Sequence, residues 1–197
     1  MGRQREFNTD KALDAAMNIF WEKGFEAASL RDLTNGMEIQ RPSMYAAFGD
    51  KKELFEATLR RYNTWHASQV RSRFQQSTSV RAAFRELFEQ IAAEEDEATD
   101  IQRGCFCINT MVELAPHDPK FAILTREHQM YLAAIFQEAI KRGQQGGELS
   151  GVLNPEALAD YLVVYMVGLT VMMKSKPDHV FIRQSIEMTL SLFDGGR

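Results

Sequence analysis

Residues 29–51 read SLRDLTNGMEIQRPSMYAAFGDK, two short helices with start signals, parted by a turn too brief for anything but a crossed pair. Ser29 is placed as an N-cap, Asp32 three residues on as its capping-box partner, and Leu30 and Leu33 as one apolar face. This first helix is expected to run to about Asn35. Gly36, Met37 and Glu38 then lead to Ile39, an apolar residue placed to pin the turn against a core. The second helix opens around Gln40, with Pro42 in its first turn, where the N–H that proline lacks has no intrahelical partner anyway. Met44 and Phe48, four apart, give that helix one buried stripe and leave Arg41, Ser43, Tyr45, Ala46 and Ala47 facing outward. The pattern is a helix-turn-helix, and double-stranded DNA is its expected partner.

The outward residues suit a major groove. An arginine grips guanine bidentately, a serine reaches a base edge or a phosphate, and an alanine touches a thymine methyl. Ser29, Arg31, Gln40, Arg41, Pro42, Ser43, Tyr45, Ala46 and Lys51 are therefore the candidate DNA contacts. Asp50 caps a further helix that begins with Lys51 and Lys52, whose N-terminus and cationic side chains suit a phosphate.

Helical periodicity continues on both sides. Upstream, Leu13, Ala16, Met17, Phe20 and Trp21 fall at i, i+3, i+4, i+7 and i+8 of a helix from Thr9 to Lys23, which Gly24 ends. Downstream, helices are expected from Lys51 to about Phe74, Val80 to about Glu95, Gly104 to Leu114, Pro119 to about Arg142, Pro155 to about Lys174 and Asp178 to Phe193. Pro116, Pro119, Gly146, Gly147, Gly151 and Pro177 punctuate them. No period-2 strand pattern survives a count, so the fold class is all-α.

Phe20, Gly24, Phe25, Ser29, Asp32, Leu33, Met44, Tyr45, Phe48 and Lys51 stand in the order and spacing of a known motif, and through them the first third of the chain resembles the TetR-type (tetracycline-repressor-like) transcriptional regulators. Glu38 departs from that family's usual turn glycine and Gln40 from its usual serine N-cap. A left-handed Glu38 carries strain on the order of 1 kcal/mol, and Ile39 and Leu33 are expected to hold the turn regardless. The resemblance implies a three-helix DNA-binding domain over residues 1–50 and a helical ligand-binding and dimerisation domain over 51–197. It also implies a repressor that binds a palindromic operator as a dimer and is released by a small molecule.

Charge restricts how such a protein holds DNA. The chain has 23 Lys and Arg against 27 Asp and Glu, a net charge of −4, with 45% hydrophobic and 25% charged residues among its 197. That excludes a protein coating nucleic acid through an overall basic field. Residues 1–62 carry ten basic and ten acidic side chains, so binding must come from placed cations: Arg3 and Arg5 in the N-terminal arm, then Arg31, Arg41, Lys51 and Lys52. Such binding is salt-sensitive. Met1 to Asn8 is polar and charged, unlike a signal peptide, so the cytoplasm is expected. The longest uncharged apolar run, Tyr161 to Met173, has 13 residues, short of the roughly 18 needed to cross a bilayer, so no membrane partner is expected. An acidic patch at Glu94 to Glu97 is expected at a solvated helix end or loop.

The last two helices are apolar around most of their circumference, and such helices need partners on more than one side. Leu158, Leu162, Tyr165, Met166, Leu169, Phe181, Ile186 and Leu190 are the candidate dimer residues, since two DNA-reading heads match a palindrome through two-fold symmetry. The resemblance implies that this pair forms a four-helix bundle with its copy. Gly168 in that run suits close approach of helices. Between head and dimer helices, bulky side chains suffice to line a pocket, which the resemblance assigns to an effector. Trp65, His66, Phe88, Cys105, Asn109, Met111 and Phe136 are the candidate ligand residues, with Glu113 and His128 as further polar groups to orient a ligand.

Cys105 and Cys107 sit in GCFCINT. Two residues apart on a helix point about 200° from each other, a poor geometry for a disulfide or a shared metal, and structural zinc would want a second cysteine pair. A single sensing thiol, or copper bound with His117 or His128, remains an alternative to small buried core residues. No metal site and no cofactor is expected. Enzyme motifs such as H-E-x-x-H, G-x-S-x-G or a phosphate-cradling glycine loop are absent. The rival to a DNA-binding regulator is a helical ligand-binding or protein-interaction dimer without operator binding, which Glu38 and Gln40 would favour.

Overall fold

A computed structural model describes residues 7–93 and 103–195. Arg3, Arg5, Glu94–Glu97 and the expected helix end near Glu95 lie outside the described residues. Within them the chain forms α1 (Thr9–Ala27), α2 (Leu30–Gly36), α3 (Arg41–Phe48), α4 (Lys51–Gln76), α5 (Val80–Ala92), α6 (Phe106–Glu113), α7 (Pro119–Gln145), α8 (Pro155–Met173) and α9 (His179–Ser191), with a closing 3-10 turn at Leu192–Asp194. No strand occurs among the described residues.

Most starts are set by caps legible in the sequence. Asn8, Ser29, Asp50, Ser79, Asp118, Asn154 and Asp178 each accept a first-turn N–H, and Pro119 and Pro155 open their helices. The expected stop at Gly24 is instead a kink: Gly24 adopts φ 79°, and the helix resumes to Ala27. α6 begins two residues later than expected, because Cys105 is extended at φ −93°, ψ 124° and serves as its N-cap.

Two hydrophobic cores share one long helix. The N-terminal core joins Phe20, Leu33, Met44 and Ile39 to Leu54, Phe55, Leu59 and Tyr62 of α4 and to Phe106, Phe121 and Leu124 from α6 and α7. Phe55 is its hub, with ring centroids at 4.9 Å from Phe20, 5.2 Å from Phe25, 5.2 Å from Phe106 and 5.3 Å from Phe121. The C-terminal core takes Val70 and Phe74 from the far end of α4 and adds α5, α7, α8 and α9. Residue 50 thus sits at the N-cap of a 26-residue helix that belongs to both cores. Long and apolar enough by composition to cross a bilayer, α8 has Leu158, Leu162, Met166 and Leu169 buried in the C-terminal core.

Candidate nucleic-acid interface and interior cavity

The helix-turn-helix closes as its residues dictate. Ser29 Oγ accepts from the Asp32 N–H at 3.0 Å, and the Asp32 carboxylate accepts from the Ser29 N–H at 3.0 Å and its hydroxyl at 2.7 Å. These bonds, that from Ser29 Oγ foremost, and the Lys23 ammonium 2.9 Å away hold the Asp32 carboxyl well below the usual range. Ser29 is exposed, yet its hydroxyl is spent on the cap, so it builds the reading head and has little left for DNA. In the turn, Met37, Glu38 and Ile39 donate to the carbonyls of Leu33, Asn35 and Thr34 at 2.8, 3.2 and 3.1 Å. Glu38 adopts φ 56°, the left-handed conformation in which glycine would be unstrained, and buried Leu33 and Ile39 fix it. Gln40 N-caps α3 without a side-chain capping bond, which leaves its exposed amide to reach outward.

On α3, Met44 is buried and Phe48 half-buried, while Arg41, Pro42, Tyr45, Ala46 and Ala47 are exposed and Ser43 is half-exposed. Arg31 and Arg41 have no ion pair with another described residue. Lys51 lies 4.6 Å from the Phe25 ring centroid, with Nζ 3.4 Å from the Glu26 carbonyl. Lys52 pairs with Asp118 at 2.5 Å, so of the two lysines opening α4 it is the less available to a phosphate.

A cavity of about 1570 Å³ opens between α1, α4, α5, α6 and α8. Of the candidate ligand residues, Trp65, His66 and Cys105 line it. Phe88 and Phe136 do not: both are fully buried, Phe88 with its ring 5.0 Å from Tyr165 and Phe136 with its ring 5.0 Å from Phe84. Asn109 faces a smaller cavity of about 230 Å³ between α1 and α6, and its amide donates to the Arg103 carbonyl at 2.7 Å. Met111 is away from both, its sulfur accepting from the Gln129 amide at 2.7 Å. Sequence reading missed Trp21, Tyr62, Arg73, Thr170 and Lys174 on the larger wall. Trp21 had been placed on the apolar face of a head helix, and periodicity alone cannot show that this face borders a void.

His66 Nδ1 lies 3.0 Å from His128 Nε2, joining α4 to α7. Burial pushes both imidazoles down to about 4, so near neutral pH the pair is uncharged and shares a single hydrogen. The Tyr62 hydroxyl donates to Cys105 Sγ at 3.3 Å, but burial still pushes that thiol up, and burial followed by the nearby Cys105 pushes Cys107 up further. Both cysteines are free, and both are neutral thiols at physiological pH, which argues against an activated sensing thiolate. Among the described residues no three His, Cys, Asp or Glu side chains are grouped to hold a metal ion.

Six of the eight candidate dimer residues, Leu158, Leu162, Met166, Leu169, Ile186 and Leu190, are buried in the C-terminal core of their own chain. They cannot also meet a partner. Tyr165 is half-buried and accepts from Ser185 Oγ at 3.1 Å, and only Phe181, 55% exposed, faces out. The outward apolar stripe of α8 is Tyr161, Val164, Gly168 and Val171, on the side opposite the buried residues. Val164 is 70% exposed and Met188 on α9 is 71% exposed.

Residues 12–58 match the bacterial regulatory proteins of the tetR family, and residues 80–187 match the tetracyclin repressor-like C-terminal domain. The uncharacterized HTH-type transcriptional regulator YezE of Bacillus subtilis is 32% identical over 196 residues, covering 98% of this chain and 100% of that protein. The HTH-type transcriptional repressor ComR of Escherichia coli is 32% identical over 171 residues, 86% of this chain and 81% of that one. Among solved structures, a cysteine mutant of the TetR family regulator CifR, complexed with 26bp operator DNA, superposes with a TM-score of 0.80 at 31% identity, covering 98% of this chain and 100% of that chain. The chain belongs to the tetR family of bacterial regulatory proteins and is a DNA-binding transcriptional regulator.

Proposed function

We propose that the protein is a repressor that binds a palindromic operator as a homodimer and leaves it when a small molecule occupies the interior cavity. The observation that carries the reading is α3 itself: Arg41, Tyr45 and Ala46 stand exposed on a helix whose opposite side is fixed by buried Met44. In this reading Arg41, Ser43, Tyr45, Ala46 and Gln40 meet base edges, and Arg31 and Lys51 meet phosphates. The turn closes around Glu38 despite its φ of 56°, which removes the main argument for a dimer without operator binding. ComR carries the name of a repressor, and CifR was solved on operator DNA.

Dimerisation is assigned to the outer stripe of α8 together with Val180, Phe181 and Met188 of α9, apolar groups exposed at 42% or more that gain by burial against their own copy. The effector space is assigned to the cavity, where Trp21, Tyr62 and Trp65 offer aromatic walls and uncharged His66 offers a hydrogen bond. The protein acts by binding rather than catalysis, in the cytoplasm, where its operator lies. A mobility-shift assay with DNA upstream of its own gene, run with competitor and at several salt concentrations, tests the reading. A sequence-specific, salt-sensitive complex is expected, and absence of any specific fragment would sink it.

A further inference from the structure

The DNA-reading head forms part of the cavity wall. Trp21 belongs to α1, yet its ring lines the cavity, edge-on to Tyr62 at 5.0 Å, and its indole N–H donates to the Gly104 carbonyl at 3.1 Å, just before α6. Next to it, Arg103 reaches Glu22 at 3.6 Å and the Asn18 amide oxygen at 3.5 Å. The far end of α6 is fastened to the same helix. Glu113 accepts from the backbone N–H groups of Phe25 and Glu26, one on each carboxylate oxygen, both at 3.1 Å. The kink at Gly24 is what turns those N–H groups outward, since a non-helical residue interrupts their intrahelical partners. Glycine is required there twice over: φ is 79°, and a Cβ would lie 3.0 Å from a Glu113 oxygen.

From these ties we infer that α6 is a strut between cavity and head, with Trp21 and Glu113 as the positioning residues that transmit ligand occupancy to the DNA-binding surface. The inference rests on the functional reading above. α6 has eight residues, about 12 Å at 1.5 Å per residue, and its N-cap Cys105 also lines the cavity. A ligand that displaces Gly104 and Cys105 shifts the helix as a unit, and Glu113 then carries the kinked end of α1, against which Lys51 and the reading helices are set. The smaller cavity between α1 and α6, lined by Trp21, Gly24 and Glu113, leaves that joint room to move.

Coupling between two binding events is reciprocal, so DNA must perturb the cavity wall even with no effector present. The chain has two tryptophans, and Trp65→Phe leaves Trp21 as the sole emitter. Titrating that variant with the DNA upstream of its own gene, while anisotropy of the labelled DNA reports binding independently, should shift Trp21 emission in step with saturation. Adding Glu113→Ala should abolish the shift while DNA is still bound. Should that variant lose its helical circular dichroism, Glu113→Gln, which keeps the shape and one acceptor, decides instead, with the shift at least halved. Bound DNA with no change at Trp21, or an undiminished change in the Glu113 variants, overturns the strut. Failure of the Trp65→Phe protein and of the unmodified chain to bind any DNA fragment overturns the functional reading as a whole, and the strut with it.

Discussion

Replacing Glu38 with glycine should stabilise the protein, although it deletes a whole side chain from the recognition motif. Glu38 sits at φ 56° in the turn between α2 and α3, exposed, while its neighbours Met37 and Ile39 are buried. A side chain in that region costs about 1–2 kcal/mol through the clash of Cβ with the following carbonyl. Glycine removes the clash but returns about 0.5–1 kcal/mol as added freedom of the unfolded chain. The balance is a gain of about 1 kcal/mol, and for a chain of this length that is a rise in Tm of roughly 2–4 °C. Glu38→Ala separates backbone from charge, because it keeps the Cβ and its strain and should leave Tm unchanged within about 1 °C by the same scaling. Both variants remove a negative charge from the DNA-facing motif. At about 10 Å from a phosphate in water that charge costs about 0.4 kcal/mol, so each should bind DNA about twofold tighter at low salt, an advantage lost as salt rises. Differential scanning calorimetry and anisotropy titrations read both effects. If Glu38→Gly is no more stable than Glu38→Ala, the turn is not paying for its missing glycine and the strain argument is wrong.

Arg41→Ala should lose sequence discrimination by roughly 1–3 kcal/mol, while Lys51→Ala should weaken all sequences alike and lower the salt slope by about one. Competition anisotropy with operator and scrambled DNA distinguishes them, and the reverse pattern would exchange the two roles. Val164→Asp, placed on the outer stripe of α8, should convert the dimer to a monomer by sedimentation with helicity intact; a dimer unchanged by that charge would move the interface elsewhere. Stability should fall as pH is lowered from about 6.5 to about 4. The buried His66 and His128 imidazoles stay neutral in the folded chain down to about 4, whereas the unfolded chain takes up their protons near 6.5. At about 1.4 kcal/mol per pKa unit, one such imidazole accounts for a loss of about 3 kcal/mol across that window. In urea denaturation, replacing both with Gln should flatten this slope, and an undiminished slope would place the acid sensitivity elsewhere.

The head was legible in the sequence because its signals are local. Ser29 and Asp32 cap α2, Pro42 opens α3, Met44 faces inward, and each depends only on residues within one or two turns. The conformation of Glu38 followed in the same way, from a turn length that leaves no other path. The helix starts downstream were legible for the same reason, since Asp50, Ser79, Asp118, Asn154 and Asp178 cap by local hydrogen bonds. The kink at Gly24 was not, because a glycine at a helix end and a glycine at a kink look alike until Glu113, 89 residues away, is in place.

What sequence alone determined is that this chain is helical throughout and carries a DNA-reading pair near its start, since periodicity and capping are written in neighbouring residues. Which apolar residues serve the core and which the surface was decided only by the fold. α8 is apolar on both sides, so its pattern cannot rank Leu162 against Val164; contact with α5 and α7 buries the first and leaves the second exposed. The same holds for the cavity. Phe88 and Trp65 are equally aromatic in the sequence, and only the packing of α4 against α5, α7 and α8 fills the space around one and leaves a void beside the other.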